Sequence, residues 1–143
     1  LVIFRLQDRH FAFHGCRIRE VIDGHSEVFY IPGMHESVEG VMNLRGDIQS
    51  VLNLNDLLHL PRSDGPSAGR AILLGQGADM LSGIRIDERL EVTDVAQSQL
   101  KPPLDSLPAH LKPLVSGLLA YRGLPVVLLD LDLVLHAWQQ QLS

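Results

Sequence analysis

Several sets of side chains in this sequence carry groups that do chemistry in other proteins, and their spacing decides whether they do so here. Seven histidines raise the question of a metal ion. His10 and His14 lie on a strand or turn, where a spacing of four residues separates them by roughly 13 Å, too far to share one ion. The others are scattered, so surface and loop positions are the better reading. Asp130 and Asp132 have the spacing of a carboxylate pair, but they stand where a strand hands over to a helix. Helix capping there accounts for at least one of them without catalysis. Asp87, Glu88 and Glu91 read as a solvated strand edge. Cys16 is the only cysteine. It forms no internal disulfide, suits a reducing cytoplasm, and reads as a small buried hydrophobe rather than a catalytic thiol. The sequence contains no G-x-S-x-G elbow, no phosphate-binding G-x-x-x-x-G-K, no H-E-x-x-H and no C-x-x-C. Gly75-Gln76-Gly77 lacks the third glycine and the following helix of a dinucleotide site. No catalytic residue, metal site or cofactor is assigned.

One charged residue does stand out by its surroundings. Arg45 sits at the rim of an apolar hairpin, Gly40-Val41-Met42-Asn43-Leu44-Arg45-Gly46-Asp47-Ile48-Gln49-Ser50-Val51-Leu52-Asn53-Leu54. Val41, Ile48, Val51, Leu52 and Leu54 supply strand formers on either side of a tight turn at Arg45-Gly46. An arginine beside an apolar groove can donate paired hydrogen bonds to a partner's carboxylate while its stem packs, and arginine is enriched at interface hot spots. The competing reading is an intramolecular salt bridge that shapes the turn. Arg17 and Arg19 could meet Arg45 in space as a local basic patch.

The hairpin recurs. Sliding the chain by 77 residues lays Gly40 on Gly117, Arg45-Gly46 on Arg122-Gly123, Val51 to Leu54 on Leu128 to Leu131, and Leu57-Leu58 on Val134-Leu135. Strand, Arg-Gly turn, strand and helix start repeat without a gap, which suits two similar small barrels in one chain. An Arg-Gly corner needs a positive φ that glycine adopts cheaply. The echo lacks Asn43-Leu44, replaced by Ala120-Tyr121.

The remaining elements fill in around the two hairpins. Leu1 to Leu6 and Phe11 to Phe13 read as strands across the polar turn Gln7 to His10. Gly15 to Ile22 is a short turn feeding a strand, broken at Asp23-Gly24. Val28 to Ile31 reads as a strand ended by Pro32-Gly33. Asn55 or Asp56 caps a short helix, Leu57 to Leu60, that Pro61 stops. Arg62 to Arg70 is a solvated linker. Ala71 to Leu74 and Leu81 to Ile86 form a hairpin, and Leu90 to Thr93 continues as a strand. Gln97 to Pro113, with four prolines, is a long ordered loop. Gly117 to Tyr121 and Pro125 to Leu129 are strands, and Asp132 caps a final helix through Trp138 to Leu142. The pattern is mainly β and barrel-like.

At 143 residues the chain is the size of one domain, with 45% hydrophobic but only 5% aromatic content, hence an aliphatic core. A formal charge of −5 argues against a nucleic-acid footprint, which needs a basic face. No apolar run approaches the ~20 residues that span a bilayer: Leu124 to Leu135 is interrupted by Pro125, Asp130 and Asp132. The chain opens inside a strand without an initiator methionine, as a segment cut from a longer chain would.

With these motifs in hand, the sequence resembles the CheW family of chemotaxis coupling proteins, whose fold is shared by the regulatory domain of the CheA histidine kinase. The resemblance covers nearly the whole chain. Ile18-Arg19-Glu20-Val21-Ile22 is similar to the family's V-x-E-V-I segment, Gly83 to Glu88 to its G-L-V-V-D-E, and Leu129-Asp130-Leu131 to its L-L-D-L. Gly40-Val41-Met42-Asn43-Leu44-Arg45-Gly46 is the most specific motif. Gln49-Ser50 stands where the family has an apolar residue and proline, and Arg85 and Arg89 replace aliphatics. The resemblance implies two packed five-stranded SH3-like barrels, with short helices including one at the C-terminus. It further implies a single domain over residues 1–143, with subdomains 1–20 plus 96–143 and 21–95. The expected activity is non-enzymatic: a cytoplasmic adaptor that joins the cytoplasmic tip of a chemoreceptor to the CheA-type kinase regulatory domain, with no nucleic acid and no membrane insertion. Receptor contact would fall on Ile18, Glu20, Gly40 and Arg45, with Asn43, Leu44 and Gly46 shaping the corner, although core packing is an equal reading for Ile18. A regulatory domain excised from a larger kinase or hybrid protein has the same fold. A small-ligand sensor using a crevice between barrels and an oligonucleotide-binding barrel are alternatives of other classes.

Overall fold

Leu1-Val2-Ile3-Phe4 and Ala71-Ile72-Leu73-Leu74 are apolar at every position rather than at every second one, the pattern of strands buried on both faces. A computed structural model, which describes residues 1–23, 26–61, 70–94 and 97–141, shows how both faces come to be covered. Ten strands occur among the described residues: β1 (Val2–Leu6), β2 (Arg9–Phe13), β3 (Ile18–Asp23), β4 (Val38–Leu44), β5 (Asp47–Leu52), β6 (Ala71–Gln76), β7 (Leu81–Ile86), β8 (Glu88–Val92), β9 (Val115–Tyr121) and β10 (Leu124–Leu129). They form two five-stranded sheets, ordered β8-β1-β2-β10-β9 and β3-β6-β7-β5-β4. Helix α1 (Leu131–Gln141) follows β10.

The alternation of side chains divides the core into three. Val2, Phe4, Leu6, Phe11 and Phe13 of the first sheet join Leu52, Ala71, Leu73, Ile84 and Ile86 of the second, together with α1, in one cluster. Phe4 stacks on Phe13 and Phe11 there, with ring centroids 5.2 and 6.0 Å apart. On the opposite faces, Ile3, Ala12, Leu119, Val126 and Leu128 form a core of the first sheet alone. Ile22, Met42, Val51, Ile72 and Leu74 do the same in the second. Each large buried aliphatic or aromatic side chain contributes about 1.5–3 kcal/mol relative to exposure. The seam between the sheets, with by far the most such residues, is therefore the dominant core.

The repeat is structural. The bounds of β4 and β5 shifted by 77 residues are those of β9 and β10. In both corners the arginine and the glycine have positive φ, 52° and 90° at Arg45-Gly46 and 50° and 79° at Arg122-Gly123. Two such residues make the type I′ turn, whose twist matches that of the flanking strands. The correspondence extends beyond the hairpin. Asn53 N donates to Ser37 O at 2.7 Å and Asp130 N to Leu114 O at 2.9 Å, the same bond in the two copies. Isolated bridges join Phe29 to Val41 and Lys101 to Leu118, and Val41 and Leu118 are again equivalent positions. The sheet orders coincide when β8, β9, β10, β1, β2 are matched to β3, β4, β5, β6, β7, so the N-terminal hairpin completes the sheet that the C-terminal half begins.

Several local expectations are revised. Val28 to Ile31 is not a strand: only Phe29 pairs, and the rest is irregular. Leu57 to Leu60 is a turn rather than a helix, with His59 at φ 56° and Leu60 N bonded to Asn55 O at 2.7 Å. Asp130, not Asp132, caps α1, its Oδ1 accepting from Leu133 N at 3.1 Å. Asp132 instead accepts from Ala78 N at 2.7 Å and pairs with Arg17 at 2.9 Å. Asp87 is buried rather than on a solvated edge, and Cys16 is exposed rather than buried. Sheet membership departs from the expected subdomain bounds, because β3 starts at Ile18 within the second sheet and β8 pairs with β1 in the first. Gly24, residues 62–69 of the expected linker and Leu142 lie outside the described residues.

Glycine carries the repeat where the chain crosses it. A Cβ on Gly40 would stand 2.3 Å from Phe29 O, whereas one on Gly117 would stand 3.3 Å from Lys101 O. The first contact is forbidden and the second only tight. Gly40→Ala is therefore expected to lower the unfolding free energy by about 1–3 kcal/mol and Gly117→Ala by clearly less, as measured by urea denaturation. Equal losses would mean that the bridge at Phe29 does not constrain Gly40.

Candidate protein-interaction site

Asn43, next to last in β4, closes the corner itself: its Oδ1 accepts a hydrogen bond from Gly46 N at 2.9 Å. The side chain thus spans Arg45 and binds Gly46, the two positive-φ residues of the turn. Ala120 has no such oxygen, so only the first corner is closed in this way. Arg45 projects from the locked turn with 71% of its side chain exposed, and its Nη2 donates to Glu20 Oε1. Glu20 belongs to β3 and Arg45 adjoins β4, the two opposite edges of the second sheet. Their contact shows that the sheet curls until its edges meet, the geometry of a barrel.

The other corner makes the equivalent closure with different chemistry. Tyr121, at the end of edge strand β9, hydrogen-bonds Glu91 on the opposite edge strand β8. That bond raises the phenol above its ordinary value of 10.0; desolvation and the Glu91 charge add to the rise, and the Arg122 charge opposes it. The Arg122 guanidinium carbon lies 5.2 Å from the centroid of the Tyr121 ring.

Of the candidate residues, Glu20, Asn43, Arg45 and Gly46 come together at this corner. Leu44 is half-buried and packs on the core of the second sheet. Ile18 and Gly40 lie elsewhere: Ile18 opposes Gly75 on β6, and Gly40 opposes Val51 on β5. Ile18 is half-buried against the seam. A bulge at Arg19 separates it from Glu20 and breaks strict alternation along β3. The basic patch foreseen from Arg17, Arg19 and Arg45 is dispersed, because Arg17 pairs with Asp132 and Arg45 with Glu20.

Other features escaped the sequence reading. Phe29, Tyr30, Ile31 and Met34 present large apolar side chains to solvent from the loop before β4. The run Val28 to Ile31 signalled apolar content, but its strand-like composition concealed the exposure. Trp138 Nε1 donates to Ser37 Oγ at 2.7 Å, and Ser37 Oγ lies 2.7 Å from His35 Nδ1. Ser37 N also donates to that His35 nitrogen, at 3.1 Å. Nδ1 is therefore an acceptor, and protons run Trp138 to Ser37 to His35. Arg85 is buried and its Nε donates to Glu39 Oε2 at 2.9 Å, which accounts for a charge in a place expected to be aliphatic. Ser50, in the place expected for proline, has its hydroxyl 2.8 Å from that of Ser82. Among the described residues no group of three or more His, Cys, Asp or Glu could hold a metal ion, and no helix is long and apolar enough to cross a membrane.

Exposed pairs like Arg45–Glu20 contribute about 0–1 kcal/mol. Arg45→Ala is accordingly expected to change the unfolding free energy by less than about 1 kcal/mol in urea titration; a larger loss would make the arginine a structural residue. Tyr121 yields a second expectation. In a Tyr30→Phe background, its absorbance titration should have a midpoint above pH 10.0, and Glu91→Gln should lower it. Because the folded-state value is raised, the closure contributes stability below the ordinary phenol value and loses it as pH rises through the folded-state midpoint. A midpoint unmoved by Glu91→Gln would remove the bond from the account.

Comparison with known proteins agrees with this geometry. The family model described as CheW-like domain matches residues 1–139. The chemotaxis protein CheW of Rhizobium meliloti is 24% identical over 141 residues, which cover 99% of this chain and 90% of that protein. The chemotaxis protein CheW of Thermotoga maritima is 28% identical over 133 residues, covering 93% and 85%. In fold, the chain is similar to the crystal structure of the scaffolding protein TtCheW from Thermoanaerobacter tengcongensis, with a TM-score of 0.80, 22% identity, and coverage of 93% of this chain and 89% of that one. Two curled five-stranded sheets joined by one apolar seam, a duplicated Arg-Gly corner and a family match from the first residue to residue 139 place the chain in the CheW-like domain family.

Proposed function

We propose that this CheW-like chain is a non-enzymatic adaptor that couples the cytoplasmic tip of a chemoreceptor to the regulatory domain of a CheA-type histidine kinase. The observation that carries the reading is the family match over residues 1–139. The relatives that align along nearly the whole chain are chemotaxis proteins. In this reading the protein works in the cytoplasm beside the receptors, as one domain whose output is the contact it makes.

The receptor-binding residues are proposed to centre on Arg45. Its guanidinium offers five donors, of which Glu20 uses the Nη2 edge. A partner carboxylate approaching from solvent can share or replace Glu20, while the half-buried Leu44 provides apolar ground beside it. Asn43 and Gly46 hold the turn that presents the arginine, and Gly40 keeps β4 in place beneath Phe29. Ile18 contributes through the packing of β3 against the seam. Most of the energy of such contacts resides in a few buried anchors, so one charge reversal at the centre is decisive.

The test is a binding assay with a receptor-tip fragment and a kinase regulatory domain. Arg45→Glu should weaken receptor binding by about tenfold or more, equivalent to about 1.4 kcal/mol or more, with an unchanged circular dichroism spectrum. Arg122→Glu, at the equivalent corner, should leave receptor binding within about twofold. Should Arg45→Glu bind both partners as the parent chain does, the role assigned to that corner fails.

A further inference from the structure

A cavity of about 460 Å³ opens at the first sheet between the β1–β2 turn, the turn that follows β5 and the loop before β9. This volume is within the roughly 300–1,000 Å³ typical of sites for small organic ligands. Its wall is rich in hydrogen-bond donors: Arg9, His10, His59 and His110 all line it, and its one acid is Asp8. The Asp8 carboxylate is 90% exposed and only 3.8 Å from Arg9 Nε, so it leaves most of the guanidinium's donors unused. Phe11, itself buried, belongs to the apolar part of the wall.

The two histidines of the far wall are arranged in a particular way. His59 and His110 stack face to face, with centroids 3.7 Å apart and planes 13° from parallel. The stack uses one face of each ring and leaves the ring edges, where the nitrogens lie, for hydrogen bonds. A neutral imidazole always carries one N–H, and a charged one carries two. His59 has a left-handed backbone, φ 56°, and two residues on, Pro61 O accepts from Asn55 Nδ2 at 2.7 Å and Gln7 Nε2 at 3.0 Å. The Gln7 bond ties the turn that follows β5 to the β1–β2 turn.

Donors that lie around an apolar floor select an acceptor on an apolar body. We propose that this cavity binds a small aromatic carboxylate, its two oxygens taking hydrogen bonds from Arg9 and the imidazoles and its ring packing over Phe11. Such a ligand touches the turn that follows β5 of the second sheet and the β1–β2 turn of the first, so its binding ties the two sheets together. This site is separate from the Arg45 corner and goes beyond the adaptor role.

The test uses the full chain and phenylacetate, followed by the NMR signals of the histidine rings and by thermal unfolding. Saturable shifts confined to His10, His59 and His110 are expected, with a melting temperature that rises with ligand concentration. Phenylacetamide, which lacks the charge, and acetate, which lacks the ring, should each bind about tenfold more weakly or worse. Arg9→Gln, at an exposed position, should weaken phenylacetate by a similar factor. His59→Gly, which suits the left-handed backbone, should abolish the His110 shifts. Equal binding of the amide and the acid, shifts that grow without saturation, or full affinity in both variants would overturn the proposal.

Discussion

The apolar seam between the two sheets is the constraint on which the rest of this molecule depends. Strands β1, β2, β6 and β7 place one face in that seam and the other in the core of their own sheet. Strands with both faces buried have no surface to offer a partner. Exposed surface is therefore displaced to the rims, where burial falls off in the same way in both copies: the first two residues of β5 and of β10 are exposed. The proposed contact at the Arg45 corner fits this plan, since the central strands stay committed to holding two sheets as one body.

At the rims, the duplicated corner shows how one backbone solution supports two different surfaces. A non-glycine residue in the left-handed region costs about 1–3 kcal/mol, yet both corners place an arginine there. The strain is tolerated because the type I′ geometry matches the twist of the strands, and each ladder holds the turn in place. What surrounds the arginine then differs. Arg45 faces a carboxylate, Glu20, from across the sheet, an ion pair that water and partners can reach. Arg122 has an aromatic ring of its own beside it, and Tyr121 rather than the arginine reaches the opposite edge strand. The intramolecular salt bridge expected for Arg45 is present, and the proposed preference for Arg45 over Arg122 in recognition rests on that contrast.

Much of this architecture is legible in the amino-acid order. The 77-residue repeat, the Arg-Gly turns and the apolar runs of β1 and β6 are local patterns, and they led to the hairpins and to the mainly β class. The turn itself is legible from Asn43 to Gly46. What escaped depends on contacts distant in sequence. Cys16 and Asp87 exchanged the expected environments because exposure is decided by what packs nearby: Asp87 Oδ2 accepts from Gln7 N at 2.7 Å, across 80 residues. Val28 to Ile31 has the composition of a strand but passes over Gly40 at one bridge only. The Glu20–Arg45 pair depends on the curl of a sheet, which no spacing along the chain reveals. Asp130 and Asp132 exchanged roles for a similar reason, since Asp132 is engaged by Ala78 and Arg17.

The two halves diverge most where each hairpin ends, and one substitution pattern explains the divergence. Val51 opposes Gly83 in the second sheet and Leu128 opposes Ala12 in the first, so Ala12 corresponds to Gly83. Their antiparallel partners, Ile3 and Leu74, then correspond as well, which sets Phe4 against Gly75 and Leu6 against Gly77. In the second sheet the glycines leave room: a Cβ at Gly75 would be 3.0 Å from Leu131 Cδ2, and one at Gly77 would be 2.8 Å from Leu135 Cδ1. The chain leaving β10 fills that room with α1, which buries Leu131, Val134, Leu135 and Trp138 along one face. In the first sheet the same ground is taken by Phe4 and Leu6, both fully buried. The chain leaving β5 finds no such bed, makes one turn and is stopped at Pro61. A helix forms in one copy and not in the other because the volume is supplied from the strands in one case and from the helix in the other.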